Sequence, residues 1–337
     1  MSASAEASLA ARAHEVAAGL LDYLRTTLGA PRLDFAEFPS SLGGGFDTEI
    51  YAFRLRGAPA RFGDRLVLRI LRAHYDPAMV LREQATQNAV AAQGYPAPRV
   101  LLATRDPMPL GAAFAVMERA PGTPLTSRLV GMAAVLAEAQ LRLHGLDLAP
   151  LRGTLPDLDG YLDALARRID AASLAGLAPL LGWLRERRPR LDVAPVICHG
   201  DLHPQNVLVQ GRAVSGVLDW PNAIVAEPAF DVAATLSILR FVPIDLVVSG
   251  LLRWPARVGL RILARRYVAG YQRRRSIDPA RLTYYEIATA LRALVRSGES
   301  RRRATGGPPP SALDRSPYAA RLQAHAARVT GLAVSLP

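Results

Sequence analysis

Residues 121–124 read Pro121-Gly122-Thr123-Pro124, and this cluster constrains the chain more than any other feature. Two prolines and a glycine within four positions cannot continue a helix or a central strand, so the chain must change course there. The hydrophobic pattern changes with it. Before the cluster, residues 33–39, 48–56, 65–71, 99–103 and 112–117 carry the short apolar or alternating runs of strands, and residues 41–45 form the glycine-rich turn of a hairpin. A leading amphipathic helix occupies residues 1–28. A second helix starts after Asp76-Pro77 and runs to about residue 93, where Gly94, Pro96 and Pro98 end it. After the cluster helical periodicity dominates, over 125–144, 158–188 and 312–330, with strand-like pieces only at 193–198, 207–209 and 214–218. This predicts an α+β chain in three parts: an N-terminal helix (1–30), a small antiparallel-sheet lobe with one packed helix (31–120), and a mainly helical lobe (121–337).

At 337 residues, half of them hydrophobic, the chain can bury a sizeable core. All 41 basic residues are arginine. Without lysine, a Walker-A phosphate loop, a pyridoxal-phosphate enzyme and a Schiff-base aldolase are excluded. The single cysteine, Cys198, excludes an intramolecular disulfide and a multi-cysteine zinc site, and it fits a reducing compartment. The first 28 residues lack the layout of a signal peptide, and the most apolar later stretch, 241–252, is broken by Pro243, Asp245 and Gly250. A cytoplasmic protein without a membrane span is expected.

The net charge of +12 is concentrated. Between residues 240 and 303, fifteen arginines face Asp245, Asp278, Glu286 and Glu299, a local balance of +11. Arg253, Arg257, Arg261 and Arg265 recur every fourth residue and form one stripe of a helix, beside an apolar face of Val258, Ile262 and Tyr267. The plain reading is a solvated face. Contact with nucleic acid or an anionic surface is the alternative, with no zinc finger or aromatic-interleaved motif to favour it.

The chemistry lies in His199-Gly200-Asp201-Leu202-His203-Pro204-Gln205-Asn206 and, thirteen residues after Asn206, in Asp219-Trp220. Two carboxylates and an amide beside short strands are what phosphoryl transfer needs. One carboxylate orients or deprotonates the attacking hydroxyl, while the second and the amide oxygen hold magnesium on the phosphates. The spacing from His199 to Asn206 is that of the kinase catalytic loop H-x-D-x-x-x-x-N.

On these residues, and over about 35–271, the chain resembles the aminoglycoside phosphotransferase and choline kinase-like family. Its members share the two-lobed protein-kinase-like fold and phosphorylate hydroxyls of small molecules. The resemblance implies Asp201 as catalytic base, Asn206 and Asp219 as Mg2+ ligands, and Trp220 in place of the phenylalanine of D-F-G. His199 would be a structural support. It also implies a phosphate-contacting cation on the third strand, which in Val67-Leu68-Arg69-Ile70 is Arg69, an arginine where kinases carry lysine. Glu83 would be its ion-pair partner. Gly43, Gly44 and Gly45, within 41–48, would cover the nucleotide phosphates, although three consecutive glycines lack the G-x-G-x-x-G spacing. Val116-Met117-Glu118-Arg119-Ala120 resembles the hinge that binds the adenine edge, through Glu118 and Ala120. Asp231 is expected to cap the helix that follows it and to support the catalytic loop.

The implied partners are a nucleoside triphosphate, ATP or GTP, and a small hydroxylated acceptor: an antibiotic, sugar, amino alcohol or hydroxyacyl compound. Acid is scarce after Asp219, which counts against a polycationic aminoglycoside. Three rival readings are weaker on the residues. A metal site from His199, Asp201 and His203 would need a helix that Gly200 and Pro204 oppose. Cys198 beside His199 ends an apolar run, as a core cysteine does, and His144 reads as a core histidine. A catalytically inactive kinase-like protein, binding nucleotide or a partner through the arginine-rich 253–275 helix, is the alternative of another class.

Overall fold

The computed structural model describes residues 3–43, 48–72, 75–128, 130–190, 192–243, 248, 250–304 and 317–337. They form two compact units, Met1–Gly122 with Ser215–Pro221, and Thr123–Val214 with Asn222–Pro337.

The first unit contains α1 (Ala3–Leu28), β1 (Asp34–Ser41), β2 (Thr48–Arg56), β3 (Arg65–Leu71), α2 (Met79–Ala92), β4 (Val100–Thr104) and β5 (Phe114–Glu118). The strands form one antiparallel sheet in the order β1-β2-β3-β5-β4. Alternation along β3 decides what each face carries. Leu66, Leu68 and Ile70 are buried in a core with Val16, Leu20 and Leu24 of α1 and Phe53, Phe114 and Val116 of the sheet. Val67 and Arg69 therefore point to the opposite face, where Val67 packs with Val100, Ala115 and Met117. That period of two delivers Arg69 to the face against which α2 lies.

Residues 215–221 belong to this unit through specific bonds. Val217 N–H donates to Pro96 O at 2.6 Å, and the Trp220 ring, with Nε1–H on Val217 O, meets Tyr95 edge-on at 5.8 Å.

The second unit contains β6 (Thr123–Pro124), α3 (Met132–Leu143), α4 (Leu158–Ala171), α5 (Ala178–Glu186), β7 (Val196–Cys198), β8 (Val207–Gln210) and the start of β9 (Ala213–Val217). It continues with β10 (Ile224–Ala226), α6 (Pro228–Phe241), α7 (Arg253–Gln272), α8 (Pro279–Ala304) and α9 (Tyr318–Thr330). β7 pairs with β10, and β8 lies between β6 and β9. α6 is buried nearly all round from Pro228 to Ser237, as a helix apolar on every side must be, and it lies against α7 and α8.

Several sequence expectations are corrected. The helix expected from residue 125 begins at Met132, preceded only by a 3-10 turn over Leu125–Ser127, because Gly131 sits in the left-handed region (φ 81°) at the helix start. The single helix expected over 158–188 is two helices, interrupted at Ser173, whose φ is 51°. α7 buries Ala264, Tyr267 and Tyr271, so of the predicted apolar face Tyr267 is buried, whereas Val258 is only partly buried and Ile262 is 45% exposed. Of the expected last helix, residues 312–316 lie outside the described residues. Among the described residues, no helix is long and apolar enough to cross a membrane.

Candidate active site

In the first unit, the Arg69 guanidinium is the centre of a three-residue arrangement. Its Nη1 hydrogen-bonds Glu83 Oε1, and its Nη2 donates to Asp219 Oδ1 at 3.0 Å. Glu83, on the inward side of α2, is 4% exposed and also accepts from Trp220 N–H. Burial pushes the Glu83 carboxyl above the usual carboxylate range. Arg69 draws it down, Asp219 adds to the rise, and the Trp220 N–H opposes it. Asp219 itself sits at φ 70° with a half-exposed side chain. A left-handed non-glycine residue stores strain, tolerated most readily by aspartate and asparagine, and such residues cluster at functional sites. One Asp219 oxygen is held by Arg69, and the turn aims the carboxylate without help from a regular element.

In the second unit, residues 199–206 form the loop between β7 and β8. His199 is fully buried, and its Nδ1 accepts Asp201 N–H at 3.2 Å. Gly200 adopts φ 73°, and a Cβ there would lie 2.4 Å from Asn222 O, so only glycine fits this turn. Gly200 N–H donates to Asp231 Oδ1 at 2.7 Å, and Gly200 O accepts from Arg292 Nη2 at 2.8 Å. Asn206 Nδ2 donates to Asp201 O at 3.0 Å, which leaves the Asn206 side-chain oxygen as the end that can meet a cation. The Asp201 carboxylate is half-buried and accepts Asn222 Nδ2 at 3.3 Å. Backbone and side chain are thus fixed from several directions, while the carboxylate keeps access to solvent.

Beneath the loop lies a fully buried cluster. Asp231 Oδ2 is 3.0 Å from His144 Nε2, and His144 Nδ1 is 2.7 Å from Tyr271 Oη. Burial alone would raise the Asp231 carboxyl. The hydrogen bond and charge of His144, the charge of His199 and the Gly200 N–H outweigh it and hold the group below the usual range. Asp231 lies in the first turn of α6, whose N-cap is Glu227, with no side-chain cap bond. The expected capping role is therefore corrected: Asp231 braces the loop through Gly200. His144, Cys198 and Asp231 bring their potential ligand atoms within 4.8 Å of one another. The His144 and Asp231 atoms are already in hydrogen bonds, and burial pushes the Cys198 thiol well up, which disfavours the thiolate a metal would need.

Glu118 N–H donates to Arg99 O at 2.9 Å and its carboxylate accepts Arg99 N–H at 3.0 Å, which closes the end of β5 against the start of β4. The Ala120 N–H has no protein acceptor among the described residues. Gly43 ends the described part of the glycine turn (φ 65°), with its N–H on Ser41 Oγ at 3.3 Å. Gly44 and Gly45 lie outside the described residues. Two residues absent from the sequence reading bond to this loop: Asn222, through Nδ2 on the Asp201 carboxylate, and Arg292, through Nη2 on Gly200 O. Burial raises the Tyr318 phenol, with Arg292 lowering it, Asp201 raising it and Arg296 lowering it. Asn222 could have been noticed as a polar residue three positions after Asp219. Arg292 and Tyr318 carry no local signal.

With this geometry in hand, the comparisons with known proteins fall into place. The profile of the phosphotransferase enzyme family (APH) matches residues 39–285, and the chain belongs to that family, one of small-molecule kinases. A mouse protein, acyl-CoA dehydrogenase family member 11, is 27% identical over 224 residues, covering 59% of this chain and 28% of that protein. A homoserine kinase of Beijerinckia indica is 31% identical over 176 residues, half of this chain and 49% of the enzyme. The chain therefore matches about a quarter to a half of the length of these relatives. Among solved structures, an aminoglycoside-3'-phosphotransferase of type VIII aligns with a TM-score of 0.56 at 24% identity, over 80% of this chain and 98% of that one. A thermostable mutant of the aminoglycoside phosphotransferase APH(4)-Ia, in a ternary complex with AMP-PNP and hygromycin B, aligns with a TM-score of 0.59 at 17% identity, over 92% of this chain and 97% of that one. These likenesses establish the two-lobed α+β kinase-like fold.

Proposed function

We propose that the protein transfers the γ-phosphoryl group of ATP or GTP to a hydroxyl of a small molecule, with Mg2+, and that Asp201 is its catalytic base. The observation that carries this reading is the state of Asp201. His199, Asn206 and Asn222 all bond to this one residue, and yet its carboxylate remains half-exposed. A general base needs that combination, a fixed position and a face open to the hydroxyl whose proton it takes.

The other residues divide the remaining work. Arg69, anchored by Glu83, supplies a permanent cation for the nucleotide phosphates. Asn206 and Asp219 offer an amide oxygen and a carboxylate, hard donors of the kind magnesium takes, and both retain a usable oxygen. Magnesium supplies charge neutralisation on the phosphates when bound. As the acceptor oxygen bonds to phosphorus and the bond to the bridging oxygen of the nucleoside diphosphate breaks, Asp201 receives the hydroxyl proton. Glu118 and Ala120 would contact the adenine edge, as the family resemblance implies, and the Ala120 N–H, without a protein acceptor among the described residues, supports that role.

The test is calorimetric titration of ATP and of GTP, with and without magnesium, into the wild type and Asp219→Ala, followed by turnover of Asp201→Ala on hydroxylated acceptors. Magnesium-dependent binding lost in Asp219→Ala is expected, together with turnover lowered roughly 10²-fold or more in Asp201→Ala at nearly unchanged nucleotide affinity. Binding in neither protein would reduce the resemblance to one of fold and leave the inactive-protein reading. Wild-type turnover in Asp201→Ala would remove the base assignment.

A further inference from the structure

The loop that carries Asp201 turns on Gly200, and this glycine creates a difficulty for a residue that must be aimed. Its left-handed backbone and the closeness of Asn222 O require glycine, yet a residue without Cβ restrains the chain least. The peptide unit that follows joins Gly200 C=O to Asp201 N–H in one plane, so rotation of that plane re-aims Asp201. Both ends of the plane are tied. Asp201 N–H donates to His199 Nδ1 at 3.2 Å, and Gly200 O accepts from Arg292 Nη2 at 2.8 Å. The preceding plane is tied as well, by Gly200 N–H on Asp231 Oδ1 at 2.7 Å.

Of the two bonds on the Gly200–Asp201 plane, the one from Arg292 is the stronger. It is the shorter, and its donor is a permanent cation, whereas the bond to His199 comes from within the same loop. Arg292 is also mounted rigidly. It stands in the middle of α8, beside Leu291, Leu294 and Val295, all fully buried, so the helix cannot move with the loop. The other terminal nitrogen, Nη1, is buried and has no hydrogen-bond partner among the described residues. A buried donor without an acceptor is a cost to the fold, which a shorter or apolar side chain would avoid. The guanidinium therefore does not complete a network of its own helix, and its bonding is concentrated on Gly200 O.

We propose that Arg292 is a positioning residue: its bond to Gly200 O sets the orientation of the Gly200–Asp201 peptide and thereby aims the Asp201 carboxylate. The catalytic consequence rests on the kinase reading, whereas the hold on the peptide does not. Arg292, Gly200 and Asp201 all belong to the second unit, so the hold is internal to it.

The experiment compares the full chain with Arg292→Lys and Arg292→Met. The two side chains are of similar length and keep the packing of α8, but only lysine retains a donor. Turnover is read as magnesium-dependent hydrolysis of ATP and of GTP, with water in place of the acceptor. The expected result is kcat at least tenfold lower in Arg292→Met and within about threefold of wild type in Arg292→Lys, with KM for the nucleotide within about twofold in both. A residue needed only for stability would not divide kcat from KM in this way. Hydrogen exchange, followed by mass spectrometry on fragments covering 199–206, is the second measurement. Exchange there should be faster in Arg292→Met than in wild type or Arg292→Lys, and equal in all three proteins over α3. Wild-type kcat in Arg292→Met would overturn the proposal, as would equal losses of kcat in the two variants, or kcat and KM changing together. Exchange over 199–206 that is unchanged in Arg292→Met, or that rises equally over α3, would overturn it too. Magnesium AMP-PNP titrated into wild type tests the kinase reading separately. If it does not bind, that reading fails, and the exchange comparison still decides whether Arg292 holds the peptide.

Discussion

Arg69 and Asp219 stand 150 positions apart in sequence, and their side chains meet, Nη2 to Oδ1, at 3.0 Å. The same guanidinium holds Glu83 with its other terminal nitrogen. A lysine ammonium is a compact point charge on a flexible stem, whereas the arginine fork presents fixed donors in two directions. The departure from the kinase lysine is therefore tied to a specific geometry, in which β3, α2 and the Asp219 turn are joined through one cation.

This arrangement predicts unequal costs for two substitutions. Arg69→Ala leaves Glu83 buried without its partner and should destabilise the protein by about 3–5 kcal/mol. Arg69→Lys keeps a cation at Glu83 and gives up the contact to half-exposed Asp219, where solvent screens the pair, so it should cost about 1 kcal/mol or less. Urea unfolding of the three proteins measures both values. Equal losses in the two variants would show that Arg69 does not act through Glu83.

How much of this was legible beforehand depends on how local the signal was. β2 and β3 have the bounds that alternation predicts, because a half-buried strand writes its faces into every second residue. The run over 158–188 misled because its apolar spacing continues through Ser173, and the left-handed backbone there has no glycine to announce it. β6 and β10, two and three residues long, are made by pairing rather than by propensity. In the candidate site, residues 199–206 were readable from spacing within one loop. Arg292, from 92 positions downstream, reaches Gly200 O only because α8 packs against α6, and no pattern local to Arg292 encodes that.

Gly200 gives a paired prediction about the loop that carries Asp201. Alanine at Gly200 meets both a left-handed backbone and Asn222 O at 2.4 Å, whereas Gly211 has φ 58° and open space for a Cβ. Gly211→Ala should therefore cost only backbone strain, about 1 kcal/mol. Gly200→Ala should cost at least about 2 kcal/mol, and it should displace Asn222 from Asp201. Thermal unfolding of both variants checks the order, and equal shifts would mean that Gly200 is needed for its φ alone.

Asp231 makes the stability of the loop depend on acid. Its carboxyl is held below the usual range in the fold, so its contribution is present above the unfolded value near 3.8 and is lost as the pH falls through the lower folded value. Glu83 has the opposite sign: raised in the fold from 4.5, it favours folding at low pH, and that contribution is lost as the pH rises through its folded value. A wild-type profile alone would mix the two. Comparison with Asp231→Asn isolates the first, because Glu83 is common to both proteins. Near pH 7 the variant, which keeps an oxygen for Gly200 N–H but loses the charge facing His144, should be less stable by about 1–3 kcal/mol. Below pH 4 the gap should narrow as the unfolded wild-type chain takes up the Asp231 proton before the folded one does. Urea unfolding from pH 3 to pH 7 reads this directly, and a gap that stays constant across the range would show that Asp231 braces Gly200 by shape and not by charge.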